Sequence, residues 1–218
     1  MSWKRQGVYV LLILAAVSPA FAPQLLAFPY SAEVEGHRVY SETPIPARFA
    51  ALIAEADRRA AASPIAQTKR DQPIFLTRGG WRWTWLTGQT RGSFAITRPL
   101  TEAIVVNRSD PARDLVTTRR DVAPETSLTR VLAHEMTHGA IRAHFGLAAD
   151  WKYPTWVREG YCDYVGGGTS LTDAEAAKLM ARHQQHPALV YWQGQKRVGA
   201  ELKRNGGSVD ALFASSRG

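Results

Sequence analysis

Apolar residues along this chain recur at spacings that change from segment to segment, and those spacings predict its elements. In residues 46–62, Phe49, Leu52, Ile53 and Ala56 fall at helical intervals, with Arg58 and Arg59 near the C-terminal end, so this segment reads as a helix. Three short apolar runs follow at residues 74–76, 93–97 and 103–106. Each is bounded by turn-forming residues, and β-branched residues fill the last, so they read as strands. Residues 28–46 are polar and contain proline, a linker or extended arm. After Gly79-Gly80, Trp81, Trp83 and Trp85 alternate with polar residues. Alternation places three indoles on one strand face, either as a stripe covering a sheet or as an aromatic wall for a substrate or membrane surface.

The second half reads as helical. One long helix is expected over residues 125–145, closed by Gly146, and a shorter one over 155–165, ended by Gly166-Gly167-Gly168. Thr172-Asp173-Ala174-Glu175 is a capping-type start for a helix reaching about His186. A last helix spans residues 191–204 and stops at Asn205-Gly206-Gly207. A small sheet followed by helices predicts an α+β domain.

The N-terminus is patterned differently. Lys4 and Arg5 precede an uncharged apolar run over residues 7–28. This is a secretory signal, with Ala20-Phe21-Ala22 as the cleavage site, or an uncleaved membrane anchor. Pro23 after the cut is a poor cleavage context, so the anchor is preferred; Pro19 and Pro23 interrupt the span. Either reading places the remainder on the far side of the membrane, exported and periplasmic or extracytoplasmic. The organisation expected is residues 1–28 as signal or anchor and residues 29–218 as a single domain.

Composition then narrows the classes. A hydrophobic fraction of 45% with 21% charged residues is a globular balance, without a segment biased towards disorder after the N-terminus. The net charge of +8 would suit a nucleic-acid partner, but the basic residues are scattered and make no helical stripe, so none is expected. Cys162 is the only cysteine, which excludes an intramolecular disulfide and a multi-cysteine zinc site; it reads as a small buried residue.

The chemistry concentrates in Leu132-Ala133-His134-Glu135-Met136-Thr137-His138, an H-E-x-x-H motif inside the long predicted helix. Residues four apart share a helix face, so both imidazoles can reach one ion. Glu135, one step along, is placed beside an open coordination position to take a proton from water. Leu128, Val131, His134, His138 and Ile141 share a broad face expected to point toward the core, where imidazoles without partners would be costly and a metal would satisfy them.

A third ligand is required, and downstream stands Trp156-Val157-Arg158-Glu159-Gly160-Tyr161-Cys162-Asp163-Tyr164. Here the chain resembles the gluzincins, the zinc peptidases of the thermolysin and aminopeptidase N type; the W-x-x-E-G-[FY]-x-x-Y pattern is similar to the aminopeptidase N branch. The resemblance implies that His134, His138 and Glu159 bind zinc and that Glu135 is the general base. Two imidazoles, one carboxylate and one open position suit Zn2+. By resemblance to thermolysin, Asp163 is the carboxylate behind His134; otherwise it is a surface carboxylate. The oxyanion partner of the aminopeptidase type lies in Y-x-K-G. Tyr191-Trp192-Gln193-Gly194 matches its Tyr and Gly but has Gln193 for the lysine. Tyr191 is therefore the candidate donor, with a packed aromatic as the other reading; His183 and His186 are alternatives by chemistry alone.

The aminopeptidase G-x-M-E-N segment is absent. Residues 101–107 read TEAIVVN at a comparable distance before His134 and are the expected edge strand for an extended substrate. The resemblance covers residues 103–209 and implies a minimal zincin-like α+β domain: a small mixed sheet on an active-site helix, then a helical C-terminal half. The function expected is zinc-dependent hydrolysis of peptide or protein substrates, of endopeptidase type because amine recognition is missing. The alternative is an inactive zincin-like binding or assembly factor in the cell envelope, which retention of Glu135 argues against.

Overall fold

The computed structural model describes residues 6–10, 17–18, 21–66, 72–88, 92–118 and 125–216. Helix α1 (Phe49–Ala61) forms where the apolar spacing predicts it and buries Phe49, Ile53 and Ala56. Glu55 sits one turn before Arg58 and Arg59 and pairs with both, at 2.7 Å each.

The residues expected as a linker or extended arm are extended but paired, forming a hairpin of β1 (Tyr30–Val34) and β2 (His37–Ser41). Glu35 and Gly36 both take positive φ, 51° and 73°, which is what a two-residue turn needs to match strand twist. Strands β3 (Ile74–Leu76), β4 (Ala95–Thr97) and β5 (Ile104–Val106) complete a sheet in the order β1-β2-β3-β5-β4. Pairings β2/β3 and β3/β5 are parallel, while β1/β2 and β4/β5 are antiparallel. The sheet is buried on both faces at its centre, so β3 and β5 read as continuous apolar runs. Ile74, Leu76, Ile104 and Val106 face α1 and the motif helix. Phe75 and Val105 face the other way, onto α2 (Trp81–Thr87).

The tryptophan segment is thus a helix, not a strand. Gly79 takes φ 69° and Gly80 caps α2 in an extended conformation. Trp83 and Leu86 turn onto the sheet, while Trp81 and Trp85 are left outside, 59% and 52% exposed. The indoles are therefore not one stripe.

A second, antiparallel sheet of β6 (Arg108–Asp110), β7 (Leu115–Thr117) and β8 (Glu125–Ser127) precedes the motif helix α3 (Leu128–Phe145). The first three residues expected as helix are therefore strand. Ser127 caps α3 by accepting from the Arg130 amide at 3.3 Å, and Asp114 accepts from the Thr129 amide at 2.8 Å, which fixes the start. Then follow α4 (Ala149–Lys152), α5 (Thr155–Gly166), α6 (Asp173–Ala181), α7 (Pro187–Arg204) and α8 (Val209–Ser215).

The Thr172–Glu175 capping box forms as expected, but α6 ends at Ala181, and His183 takes φ 49°. Helix α7 starts earlier than expected, at Pro187, whose missing N–H costs nothing at the first turn. Helices α5 and α7 meet at Gly160 and Gly194: a Cβ on Gly160 would lie 2.5 Å from the Gly194 carbonyl. Ile141 of α3 joins Val157, Tyr161, Cys162, Val198 and Phe213 in a helical core, so α3 serves both layers. The fold class is α+β.

Among the described residues no helix is long and apolar enough to cross a membrane. Of the expected N-terminal apolar helix, residues 11–16 and 19–20 lie outside the described residues, and Pro23–Leu26 form one 3-10 turn.

Candidate metal centre

Helix α3 carries His134, Glu135 and His138, and its face divides. Leu128, Val131 and Ile141 are buried in the cores, while both histidines lie at the edge of a cleft of about 500 Å³. The expected fully core-facing stripe is therefore a boundary between core and cleft. The two Nε2 atoms are 3.2 Å apart. Glu159, on the second turn of α5, brings Oε2 to 3.4 Å from His134 Nε2 and 3.5 Å from His138 Nε2. Asp163, one turn further along α5, places Oδ1 2.8 Å from His134 Nδ1. Its other oxygen is buried without a hydrogen-bond partner among the described residues.

These distances test the fit of a metal. In a tetrahedral site with bonds of ~2.0–2.2 Å, ligand atoms lie about 1.63 bond lengths apart, roughly 3.3–3.6 Å. The three donor separations of 3.2, 3.4 and 3.5 Å fall at or just below that range. A proton on His134 Nδ1, donated to Asp163, leaves the Nε2 lone pair facing the other two donors.

Cys162 offers another donor: its Sγ and the two imidazole nitrogens all lie within 4.8 Å of one another. Glu159 Oε2 lies 3.4 and 3.5 Å from the two imidazole nitrogens, while burial pushes the Cys162 thiol well up, further raised by Glu159, Glu135 and Asp163, which disfavours the thiolate a metal would need.

Charge at the site is organised around the histidines. Burial opposes a proton on His134, but Asp163, Glu159 and Glu135 outweigh it and hold its pKa well above the imidazole range. Burial likewise opposes ionised Glu159, but His138 and His134 hold its carboxyl well below the carboxylate range. The imidazoles and carboxylates thus stabilise one another's charges.

Glu135 is 5% exposed and is held from the edge strand: Thr97 Oγ1 lies 2.7 Å from its Oε2 and 2.9 Å from its carbonyl oxygen. Tyr191, on the second turn of α7, lines the same cleft and is 39% exposed. Burial, then the carboxylates of Glu159, Asp163 and Glu135, raise its pKa, so the hydroxyl keeps its proton. Of the alternative histidines, His186 reaches the cleft mouth, where its Nδ1 accepts from the Ala188 amide at 3.2 Å; His183 is exposed and does not line it.

Several residues at the site were not anticipated. Arg142, one turn after His138 and 3% exposed, grips Glu102 at 2.9 and 3.0 Å and Asp150 at 3.3 Å. Arg158 lies 3.7 Å from both Asp150 and Glu159 Oε1, so a line of charges runs from Glu102 to Glu159. The i+4 position after His138 was the available signal for Arg142. Thr97 and Cys162 carry no comparable signal. The expected edge strand is also corrected. Residues 104–106 are interior, hydrogen-bonded to β3 and β4, and β4 is the edge beside the cleft.

Searches against protein-family models, curated proteins and solved structures find no match to this chain.

Proposed function

We propose that the chain is a zinc-dependent peptidase in which His134, His138 and Glu159 hold the metal and Glu135 is the general base. The observation that carries this reading is the convergence of His134 Nε2, His138 Nε2 and Glu159 Oε2 at 3.2–3.5 Å, with Asp163 behind the first imidazole. A mixed sheet beside an H-E-x-x-H helix, with the glutamate on a following helix, accords with the gluzincin resemblance.

Zinc at these donors supplies Lewis acidity, polarising a carbonyl oxygen and drawing the pKa of water toward neutrality. The protein's own groups do the rest. Asp163 fixes the His134 tautomer, so that Nε2 faces the metal position. Thr97 holds the Glu135 carboxylate, which accepts a proton from the attacking water and returns it to the leaving amine. Tyr191 donates its hydroxyl proton in a hydrogen bond to the oxyanion that develops at the scissile carbonyl. The outer edge of β4, which pairs with no other strand among the described residues, supplies main-chain donors and acceptors that pair with an extended peptide.

The full-length chain and its Glu159→Ala and Glu135→Gln variants separate the parts of this proposal. Zinc measured by plasma mass spectrometry should approach one per chain, collapse in Glu159→Ala, and persist in Glu135→Gln and in Cys162→Ala. Cleavage of a quenched peptide library should fall about 10²–10⁴-fold in Glu135→Gln. Zinc without cleavage would return the chain to the binding or assembly class; no zinc in folded protein would sink the metal site itself.

A further inference from the structure

The outer face of α2 is apolar, exposed and joined to the end of the N-terminal run. Trp81 and Trp85 lie one turn apart on it, 59% and 52% exposed. Arg82 between them ties the helix to the incoming chain. Its Nε donates to the Leu26 carbonyl and its Nη2 to the Ala27 carbonyl, both at 3.0 Å, while Nη1 pairs with Glu42 at 2.8 Å. Its guanidinium also lies 4.6 Å from the Trp81 ring centre and 5.3 Å from that of Phe28. In the segment that leads to this contact, Phe21 and Leu25 are also exposed, 69% and 59%. Upstream, residues 7–28 contain no charged side chain, and Lys4 and Arg5 precede them.

An indole suits a bilayer interface, where its ring meets the acyl boundary and its N–H reaches water. We propose that the Trp81–Trp85 face of α2 lies on the surface of an anionic bilayer that the N-terminal run enters. Arg82 ties the last residues of that run, Leu26 and Ala27, to α2. The proposal rests on membrane insertion of the N-terminal run. Without Lys4 and Arg5, which stay on the other side of the membrane, the remaining 25 Lys and Arg against 19 Asp and Glu leave the domain at +6, which favours anionic headgroups over neutral ones. Helix α2 covers the sheet face opposite α1 and α3, so the sheet stands between the bilayer and His134. The cleft is thereby turned to soluble chains rather than lipid-embedded ones.

The test uses the full-length chain with an environment-sensitive label at Thr84→Cys, an exposed α2 position that leaves both tryptophans in place. Cys162 is 0% exposed and does not compete for label. Lys178→Cys, exposed on α6, is the control. In vesicles of phosphatidylcholine and phosphatidylglycerol, the label at 84 should shift to the blue and be quenched by nitroxide lipid. The label at 178 should do neither. Replacing Trp81 and Trp85 together by alanine should remove at least half of the quenching at 84. A label at 84 as water-exposed as that at 178, on chain that sediments with the vesicles, overturns the docking face. Failure to sediment overturns the proposal at its premise instead, and neither result touches the zinc site.

Discussion

At His134 the two ring nitrogens have different partners. Nδ1 lies 2.8 Å from Asp163, and Nε2 faces His138 and Glu159. Losing Asp163 would free the ring to rotate or change tautomer. Asp163→Ala should therefore weaken zinc binding about 10–100-fold, read by competition with a chromophoric chelator. Unchanged affinity would reduce Asp163 to a packing residue. The pair His134 and His138, and the position of Glu135, were legible because helical spacing alone brings them together. Glu159 was legible only through its resemblance to a known pattern, since nothing local links α5 to α3. Thr97 was not legible at all: its contact with Glu135 crosses 38 positions and depends on where the edge strand ends.

Helices α5 and α7 approach so closely at Gly160 and Gly194 that neither position has room for a side chain. A methyl on Gly160 would sit 2.5 Å from the Gly194 carbonyl, and the obstacle is backbone, which cannot rotate away. Gly160→Ala should therefore destabilise the protein by about 1–3 kcal/mol, measured by urea unfolding. It should also loosen zinc, because Glu159 is the preceding residue. Gly194 entered the reading as part of a tyrosine motif; its role in the structure is this helix crossing. The helices were the legible elements because amphipathic spacing and caps mark them over many residues. Three-residue strands such as β6, β7 and β8 carry too few positions to show a period. The tryptophan segment misled because a spacing of two also brings the first and third indoles onto one helix face. Leu86 and Thr87, buried with Trp83, carried the helical signal.

Across the whole molecule, Tyr161 joins layers distant in sequence: its hydroxyl lies 2.6 Å from Ser63 Oγ, at the end of the α1 segment. Burial lifts its pKa to about 12, the Ser63 hydrogen bond offsetting only part of that. The folded state thus favours the neutral phenol. Its advantage is intact below pH ~10, where unfolded tyrosine begins to ionise, and is lost as pH rises toward 12. Alkaline unfolding should show a loss of roughly 2–3 kcal/mol over that window, absent in Tyr161→Phe. The chain-wide arrangement was legible only as a class, α+β, because strand order depends on crossovers that no local pattern encodes.

The same helical core encloses Cys162, 0% exposed and with its thiol pushed well up by burial. Thiolate is the species that reacts with oxidants and disulfides, so this thiol reacts slowly while the fold holds it buried. With no second cysteine in the chain, scrambling within one molecule cannot occur. Reactivity appears only when α5 comes away from its neighbours. The rate at which an added disulfide reagent consumes this thiol therefore clocks the opening of the layer that carries Glu159 and Asp163.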